Sequence, residues 1–237
     1  YKEHKLEGVS SDISTRLIQM ASKKLPSGWI MDTFPKVLWG LAMLVTHEWK
    51  CVVIGGFNRD SIIGGYYHDK QDLDVNIGNS NMKAMIRKLK SWVESQTGCK
   101  WGGDRMGHPS GSIYECTFRS PDDEDVKVQF LNERKFVTSD PHPDFNTNVL
   151  ALSNGRFIVL ARHAMRFDAR HIIQDIIKKR CAQCKGWSTP GLDVRNKRRM
   201  EHRVLTMKAR GWVIYIMRQR TRSSSLMLAL RAWVGAT

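Results

Sequence analysis

Residues 52–78 read VVIGGFNRDSIIGGYYHDKQDLDVNIG, and this stretch decides how the chain is interpreted. Its first three residues are apolar and β-branched, which is typical of a buried strand. The strand runs into the diglycine Gly55-Gly56, and a short helical segment, Phe57 to Ile63, ends at a second diglycine. A polar loop then leads to another strand. The pattern predicts a strand, a glycine turn, a short helix and a second strand, in that order.

The second strand carries Asp72 and Asp74, which are two residues apart. Positions i and i+2 of a strand face the same side, so the two carboxylates project together, with their Cα atoms about 6.6 Å apart. Mg²⁺ prefers carboxylates, water and substrate phosphates, and we expect Mg²⁺ (or Mn²⁺) here. The diglycine exposes backbone N–H groups beside a helix N-terminus, which suits a phosphate chain.

A strand, a diglycine, a short helix and an Asp-x-Asp on the next strand, in this order, resemble the head domain of class II nucleotidyltransferases. This is the family of CCA-adding enzymes and bacterial poly(A) polymerases. A second segment, residues 144–152 (DFNTNVLAL), is similar to the family motif Asp-Phe-Thr-x-Asn-Ala-Leu, with Asn146 in place of threonine. The resemblance covers roughly residues 38–160. The matching residues of the first segment are Gly55, Gly56, Arg59, Asp60, Gly64, Asp72 and Asp74.

The resemblance implies a Mg²⁺-dependent, template-independent transfer of a nucleotide from an NTP, with ATP or CTP expected, to an RNA 3′-hydroxyl. Asp72 and Asp74 are the implied catalytic and metal-binding residues. The glycines and an arginine would cradle the triphosphate, an aspartate would orient that arginine, and the second segment would shape the sugar and base side. These implied nucleotide-binding residues are Gly55, Gly56, Arg59, Asp60, Asp144 and Asn148.

Composition points to a polyanionic partner. Lys and Arg number 38 against 23 Asp and Glu, a net charge of +15, so RNA is the expected partner. Residues 195–222 are the most basic stretch and predict a helix lying on RNA phosphates, with an interfacial membrane helix as the alternative. The RNA-binding residues predicted there are Arg195, Lys197, Arg198, Arg199, Arg203, Lys208 and Arg210.

Cysteine usage and hydropathy bear on the compartment. Five cysteines at irregular spacing are not a disulfide framework, which favours a reducing compartment such as the cytoplasm or an organelle matrix over secretion. No apolar run is long enough to span a bilayer. Cys181 and Cys184 form a C-x-x-C that His171 or His202 could complete as a zinc site, but without a second spaced pair we expect a plain pair at a helix end.

The predicted fold class is α+β, with a small mixed β-sheet flanked by helices. We expect a polar N-terminal extension over residues 1–34, the nucleotidyltransferase-like head over 35–160, and a basic helical C-terminal region over 161–237. Periodicity predicts helices over residues 35–49, 80–96 and 162–179, a glycine-rich loop over 102–111, and two hairpins, 112–131 and 150–160. The first of these helices would lie beneath the strand that precedes the diglycine.

The chain also departs from the family in ways that leave a second interpretation open. Lys127 falls where a further carboxylate is usual, with Asp125 two residues before it as a substitute. Residues 141–143, Pro-His-Pro, replace an arginine pair, and no segment after residue 160 matches the base-reading element. The alternative is a catalytically diverged domain that acts as an RNA-binding or structural subunit of a ribonucleoprotein or viral particle. A third possibility is nucleotide transfer to a protein or a small molecule.

Overall fold

The computed structural model describes residues 34–63, 72–78, 80–107, 113–132, 144–159, 167–184 and 194–216. The described helices are α1 (Phe34–His47), α2 (Gly56–Ile63), α3 (Met82–Gln96), α4 (Ala169–Ile177) and α5 (Val194–Ala209), with a 3-10 turn, η1, at Asn146–Val149. The described strands are β1 (Val52–Ile54), β2 (Asp72–Asn76), β3 (Lys100–Met106), β4 (Ile113–Arg119), β5 (Asp125–Leu131), β6 (Leu150–Ser153), β7 (Arg156–Val159), β8 (Arg180–Gln183) and β9 (Val213–Ile216).

Seven of these strands form one mixed sheet in the order β3-β4-β5-β2-β1-β6-β7. Strands β2 and β5 are parallel, and the other neighbours are antiparallel. The strand with the two aspartates therefore lies inside the sheet, between β5 and β1. An interior strand holds its side chains in a fixed register with both neighbours, which gives the site a rigid base.

A first apolar core covers one face of this sheet. It joins the inward side of α1 and α3 to alternate residues of β2, β4 and β5, among them the fully buried Leu73, Val75 and Val128. By strand alternation, the residues between them face the opposite side. The first core thus fixes Asp72 and Asp74 on the face that does not carry α1 and α3.

A second apolar cluster joins the C-terminal part of the described chain to the rest. It combines Ile62 of α2 with residues of η1, α4 and α5, and it includes Trp212 just before β9. Strands β8 and β9 form a separate parallel pair. The described residues on either side of position 160 thus share a core, although the sequence suggests a boundary there.

Several sequence expectations are confirmed. The helix expected from Pro35 is α1, and the helix expected near Ser80 is α3, with Asn81 as its N-cap, the side chain of which accepts a hydrogen bond from the Ala84 N–H at 3.2 Å. Both hairpins form, as β4–β5 and β6–β7. The second turns at Asn154-Gly155, and both residues have positive φ, as a tight two-residue turn requires.

The glycine-rich loop expected over residues 102–111 is wrong in its first half. Residues 100–106 form the edge strand β3, which pairs with β4 and shifts register between Trp101 and Gly103. Gly103 lies at this β-bulge and has φ 130°, a backbone conformation that glycine adopts more readily than other residues. An edge strand tolerates such a bulge because only one of its sides is paired.

The expected continuous helix over the basic stretch is also wrong beyond Ala209. Gly211 has φ 80°, and its N–H bonds the Lys208 carbonyl at 2.9 Å while the Trp212 N–H bonds the Met207 carbonyl at 3.1 Å. This pair of bonds is a Schellman motif, which ends a helix at a glycine. The chain then enters β9, so the C-terminal region is not purely helical.

The cysteine pair lies on a strand rather than at a helix end. Cys181 belongs to β8 and Cys184 follows it, and both residues are buried. The fold class is α+β, as expected. The expected N-terminal extension apart from Phe34, and residues 64–71, 141–143 and 217–237, lie outside the described residues.

Candidate active site

The two aspartates of β2 face the same side of the sheet and are half-buried. In the parallel register with β5, Asp72 lies opposite Lys127 and Asp74 lies opposite Gln129. On the other side, Asp74 pairs with Ile54, the last residue of β1. Asp74 is therefore next to the point where β1 ends and the diglycine begins.

Gly55 touches the carboxylate of Asp74. It adopts φ 83°, and a Cβ built on it would lie 2.5 Å from Asp74 Oδ2. No side chain fits in that space, and the left-handed backbone favours glycine as well. The turn after β1 thus brings bare backbone into direct contact with one of the two carboxylates.

Both carboxyl groups are hard to ionise. The pKa of Asp74 is raised to about 7: burial raises it most, the neighbouring Asp72 adds to the increase, and Arg203 lowers it. Burial also raises the pKa of Asp72, which Lys127 lowers and Glu115 raises. A cation shared by the two carboxylates would relieve both the burial and their repulsion.

Arg59 is buried and held from three sides. Its Nε and Nη2 donate to the two carboxylate oxygens of Asp60 at 2.7 and 2.9 Å, and its Nη1 donates to Asn148 Oδ1 at 3.2 Å. The guanidinium also lies over the Trp212 ring, 5.5 Å from the centroid. It folds back over the first turn of α2, where Nη2 would lie 3.2 Å from a Cβ on Gly56.

The segment from Asp144 to Asn148 connects the site to the C-terminal strands. Asn146 Nδ2 donates to Asp175 at 3.0 Å, and Asn146 Oδ1 accepts the Ala182 N–H at 2.8 Å. Asp175 also accepts the Tyr215 hydroxyl at 2.7 Å. Asn146 and Asp175 therefore join η1 to α4, β8 and β9.

Arg203 comes from α5 and forms an ion pair with Asp144. Burial lowers the pKa of Arg203, Asp74 raises it, and Arg59 lowers it. Its guanidinium is thus close enough to interact electrostatically with Asp74 and with Arg59. The sequence places Arg203 among the RNA-binding residues, whereas in the fold it lies beside the predicted nucleotide-binding residues.

Glu115 is a half-buried neighbour of the site that sequence reasoning misses. It pairs across β4 and β5 with Gln129, which is itself opposite Asp74, so the three side chains form one row. Gln129 Nε2 donates to the Glu115 carboxylate at 3.3 Å. Arg105 donates to the same carboxylate through Nη2 at 2.5 Å and through Nε at 3.0 Å. A lone acid inside an otherwise alternating strand is the signal that could have found it.

The structure brings most of the predicted site residues together. Gly55, Gly56, Arg59, Asp60, Asp74, Asp144 and Asn148 are connected by the contacts above, and Asp72 adjoins them on β2. The proposed substitute acid, Asp125, pairs instead with Arg119 at 3.3 Å, is exposed, and lies beyond Lys127 along β5. Of the predicted RNA-binding residues other than Arg203, Lys197, Arg198, Arg199 and Lys208 are exposed on α5, Arg195 is in its first turn, and Arg210 follows its end.

Within the described residues, no three His, Cys, Asp or Glu side chains gather around a common metal position. Asp72 and Asp74 therefore supply two carboxylates and no more, a donor set that fits Mg²⁺ held jointly with substrate phosphates. For zinc, Cys181 faces the second cluster and its pKa is raised to about 11 by burial. Zinc binding there would require that thiol to lose its proton.

No family model matches the chain, and no curated protein matches it. Among solved structures, the chain is similar to one described as the crystal structure of JHP933 from Helicobacter pylori, with 12% sequence identity and a TM-score of 0.31. The similarity covers 65% of this chain and 55% of that one, so it spans about half the length of the matched protein. A likeness of this size carries no weight for fold or function. In the described part of the chain, no helix is long and apolar enough to cross a membrane.

Proposed function

We propose that this chain has a nucleotidyltransferase-like head and transfers a nucleotide from an NTP, with ATP and CTP as first candidates, to an RNA 3′-hydroxyl without a template. The observation that carries the proposal is the contact between Gly55 and the Asp74 carboxylate. The turn that we propose to bind phosphate is thus in contact with one of the two carboxylates that we propose to bind metal. Either motif alone is commonplace, and their contact supports the proposal.

Asp72 and Asp74 would hold Mg²⁺ or Mn²⁺. The ion would supply charge stabilisation for an in-line displacement at the α-phosphate, which joins the nucleotide to the RNA and releases pyrophosphate. The raised pKa of both carboxyl groups supports this role, because buried carboxylates that repel each other gain from a shared cation. The diglycine turn would meet the phosphate chain, and Asn148, fixed by Arg59, would border the sugar side.

The exposed cations of α5 would hold the RNA acceptor. Lys197, Arg198 and Arg199 are exposed on a helix whose inner side is packed through Met200 and Met207. Contacts of this type neutralise phosphates and release counterions, so RNA affinity should fall steeply with salt. The helix therefore links a basic surface to the site through Arg203.

The test is incubation of the purified full-length protein with Mg²⁺, each labelled NTP in turn and a pool of short RNAs. We expect extension by one or a few nucleotides with at least one NTP. The double variant Asp72→Ala with Asp74→Ala should lose extension and keep its fold by circular dichroism. Asp104→Ala, an exposed acid on β3, should extend RNA as the wild type does. Full extension by the double variant would refute the assignment.

A second function is favoured by the cations already beside the carboxylates. Lys127 is opposite Asp72 in register, and Arg203 acts on Asp74. Such cations provide no ligand oxygen and could balance the two carboxylates in place of a metal. The domain would then be a catalytically diverged RNA-binding subunit of a ribonucleoprotein or particle. Tight, salt-sensitive RNA binding with no extension by any NTP would favour it.

A further inference from the structure

Arg203 points toward the protein rather than toward solvent. It lies between Met200 and Met207 on α5, three residues after one and four before the other, and both methionines are buried. Residues at this spacing share one helix face. A guanidinium on the inner face needs a partner, and Arg203 has Asp144, whose side chain is 7% exposed.

Arg203 and Arg59 differ in how many donors they have left. Arg59 commits Nε and Nη2 to Asp60 and Nη1 to Asn148, and its side chain is 8% exposed. Arg203 is 40% exposed, and its Nη1 meets Asp144, the one polar partner it has within the described part of the chain. In the described part of the chain no hydrogen bond engages Arg203 Nε or Nη2, whereas Arg59 commits three of its five N–H groups and is almost fully buried.

Arg203 lies beside the segment that binds Arg59, because its partner Asp144 is four residues before Asn148. Asp74 stabilises the charged form of Arg203, and Asp74 is the carboxylate that Gly55 touches. Arg59, on the other side, repels Arg203. An anion bound beside these two guanidiniums would reduce that repulsion while using the free N–H groups, and a planar guanidinium matches the spacing of phosphate oxygens.

We infer that Arg203 binds the phosphate chain of the nucleotide. Arg59, in contrast, holds Asp60 and Asn148 in position and does not contact the phosphate chain. The inference rests on the proposed function and names the group that α5 contributes to the same site. The chemistry recognised is a phosphoryl oxyanion. It could also come from the phosphodiester of an RNA, and the experiment separates the two sources.

The experiment measures binding of inorganic tripolyphosphate with Mg²⁺ to the full-length protein by calorimetry. Arg203→Gln should weaken binding by about tenfold or more, because a charge-assisted hydrogen bond to phosphate is lost. Arg203→Lys should fall between the two, since it keeps the charge but loses the guanidinium fork. Arg87→Gln removes an equal charge from an exposed position on α3, across the sheet, and should bind as the wild type does. Binding by Arg203→Gln equal to that of the wild type would overturn the inference.

A measurement on the wild-type protein covers the case in which Arg203→Gln does not fold. Phenylglyoxal modifies accessible guanidinium groups, and peptide mass spectrometry locates the modified residues. Tripolyphosphate with Mg²⁺ should protect Arg203 and leave the modification of Arg87 unchanged. Equal modification of Arg203 with and without tripolyphosphate would overturn the inference without any variant.

Salt titration of binding to a short RNA separates the two sources. We expect Arg203→Gln to keep the salt dependence of the wild type. If it instead lowers the slope by about one while tripolyphosphate binds normally, Arg203 contacts RNA and the inference is wrong. If the wild type binds neither tripolyphosphate nor any NTP, the proposed function fails together with the inference. If the wild type binds and Arg203→Gln binds equally, the inference alone fails.

Discussion

Asp72 and Asp74 lie two residues apart on one face of β2, yet their surroundings differ. Asp72 faces the neighbouring strands, with Lys127 opposite it and Glu115 near enough to raise its pKa. Asp74 lies at the end of β1, against Gly55 and under the influence of Arg203. We call the first the strand side and the second the turn side. One motif thus has a side formed by the sheet and a side formed by a turn and a C-terminal helix.

The difference shows which parts of the chain form the surroundings of each carboxylate. The strand side needs only the register of β2, β5 and β4, all within the first core. The turn side needs residues from four separate parts of the chain: the diglycine, Asp74, the segment from Asp144 and helix α5. We therefore expect changes on the turn side to have larger effects than changes on the strand side.

Gly55→Ala should produce the largest loss of stability. Its left-handed backbone costs about 1–2 kcal/mol with any Cβ, and the added atom would also press on Asp74 Oδ2. Gly78→Ala is the matched control, because Gly78 has φ 56° but open space around it. Urea unfolding of both variants measures the difference. Equal losses would mean that the Gly55–Asp74 contact does not constrain the turn.

Asp74→Asn should stabilise the protein above pH 7, by on the order of 2 kcal/mol in the absence of metal. The folded-state pKa of Asp74 is about 7, above its ordinary 3.8, so the folded protein binds this proton more tightly than the unfolded chain. Stability therefore falls as pH rises from about 4 to about 7. The amide removes the titration and should flatten this slope.

Unfolding free energies of wild type and Asp74→Asn across that pH range provide the measurement. Asp72→Asn is the comparison on the strand side. Burial raises the pKa of Asp72 too, but Lys127 lowers it. Asp72→Asn should therefore also stabilise the protein at high pH, but by less than Asp74→Asn. A wild-type stability that rises between pH 4 and 7, with Asp74→Asn rising less, would contradict the burial of this carboxylate.

Tyr215→Phe should cost about 1 kcal/mol, the usual net value of one hydrogen bond. The hydroxyl donates to Asp175, which also binds Asn146, so its loss loosens the strands that hold the turn side. Tyr114→Phe on β4 is the control, and we expect it to be nearly neutral. Chemical denaturation of the two variants would show whether the C-terminal strands are tied to the site, and equal values would argue that they are not.

Lys127→Gln should have the smallest effect, a gain in Mn²⁺ affinity of about two- to fivefold, because Lys127 is exposed and the interaction of an exposed charge is worth less than about 1 kcal/mol. Removing the positive charge opposite Asp72 makes the electrostatic potential at the two carboxylates more negative, which favours a bound metal ion. Lys83→Gln, on an exposed position of α3, should leave the affinity unchanged. A weaker Mn²⁺ affinity in Lys127→Gln would mean that the lysine supports the metal site instead of competing with it.

Local patterns were sufficient to predict much of the fold. The apolar periodicity of α1 and α3, the alternation in β4 and β5, and the Asn154-Gly155 turn are each set by neighbouring residues. The Asp72-x-Asp74 motif also depends on short spacing, and it predicted that the two carboxylates project from the same face of a strand. These are cases in which local preference and tertiary structure agree.

Long-range contacts could not be read from the sequence. Gly211 signalled the end of α5, and the unbroken apolar run over residues 212–216 is typical of a strand, but only the structure shows that this strand pairs with β8 and that Trp212 is buried with Met207. The role of Asn146 depends on Asp175 and Ala182, which are 29 and 36 residues away. Arg203 was predicted to bind RNA because it sits among other cations, whereas its orientation follows from the packing of α5.

Mn²⁺ binding tests most directly whether the strand side and the turn side form one metal–nucleotide site. Electron paramagnetic resonance would follow Mn²⁺ added to the protein with tripolyphosphate, for the wild type and for Asp72→Asn with Asp74→Asn. We expect the wild type to bind Mn²⁺ more tightly when tripolyphosphate is present, and the double variant to lose that binding. Equal Mn²⁺ binding by the two proteins, or none by either, would contradict the assignment of these two carboxylates.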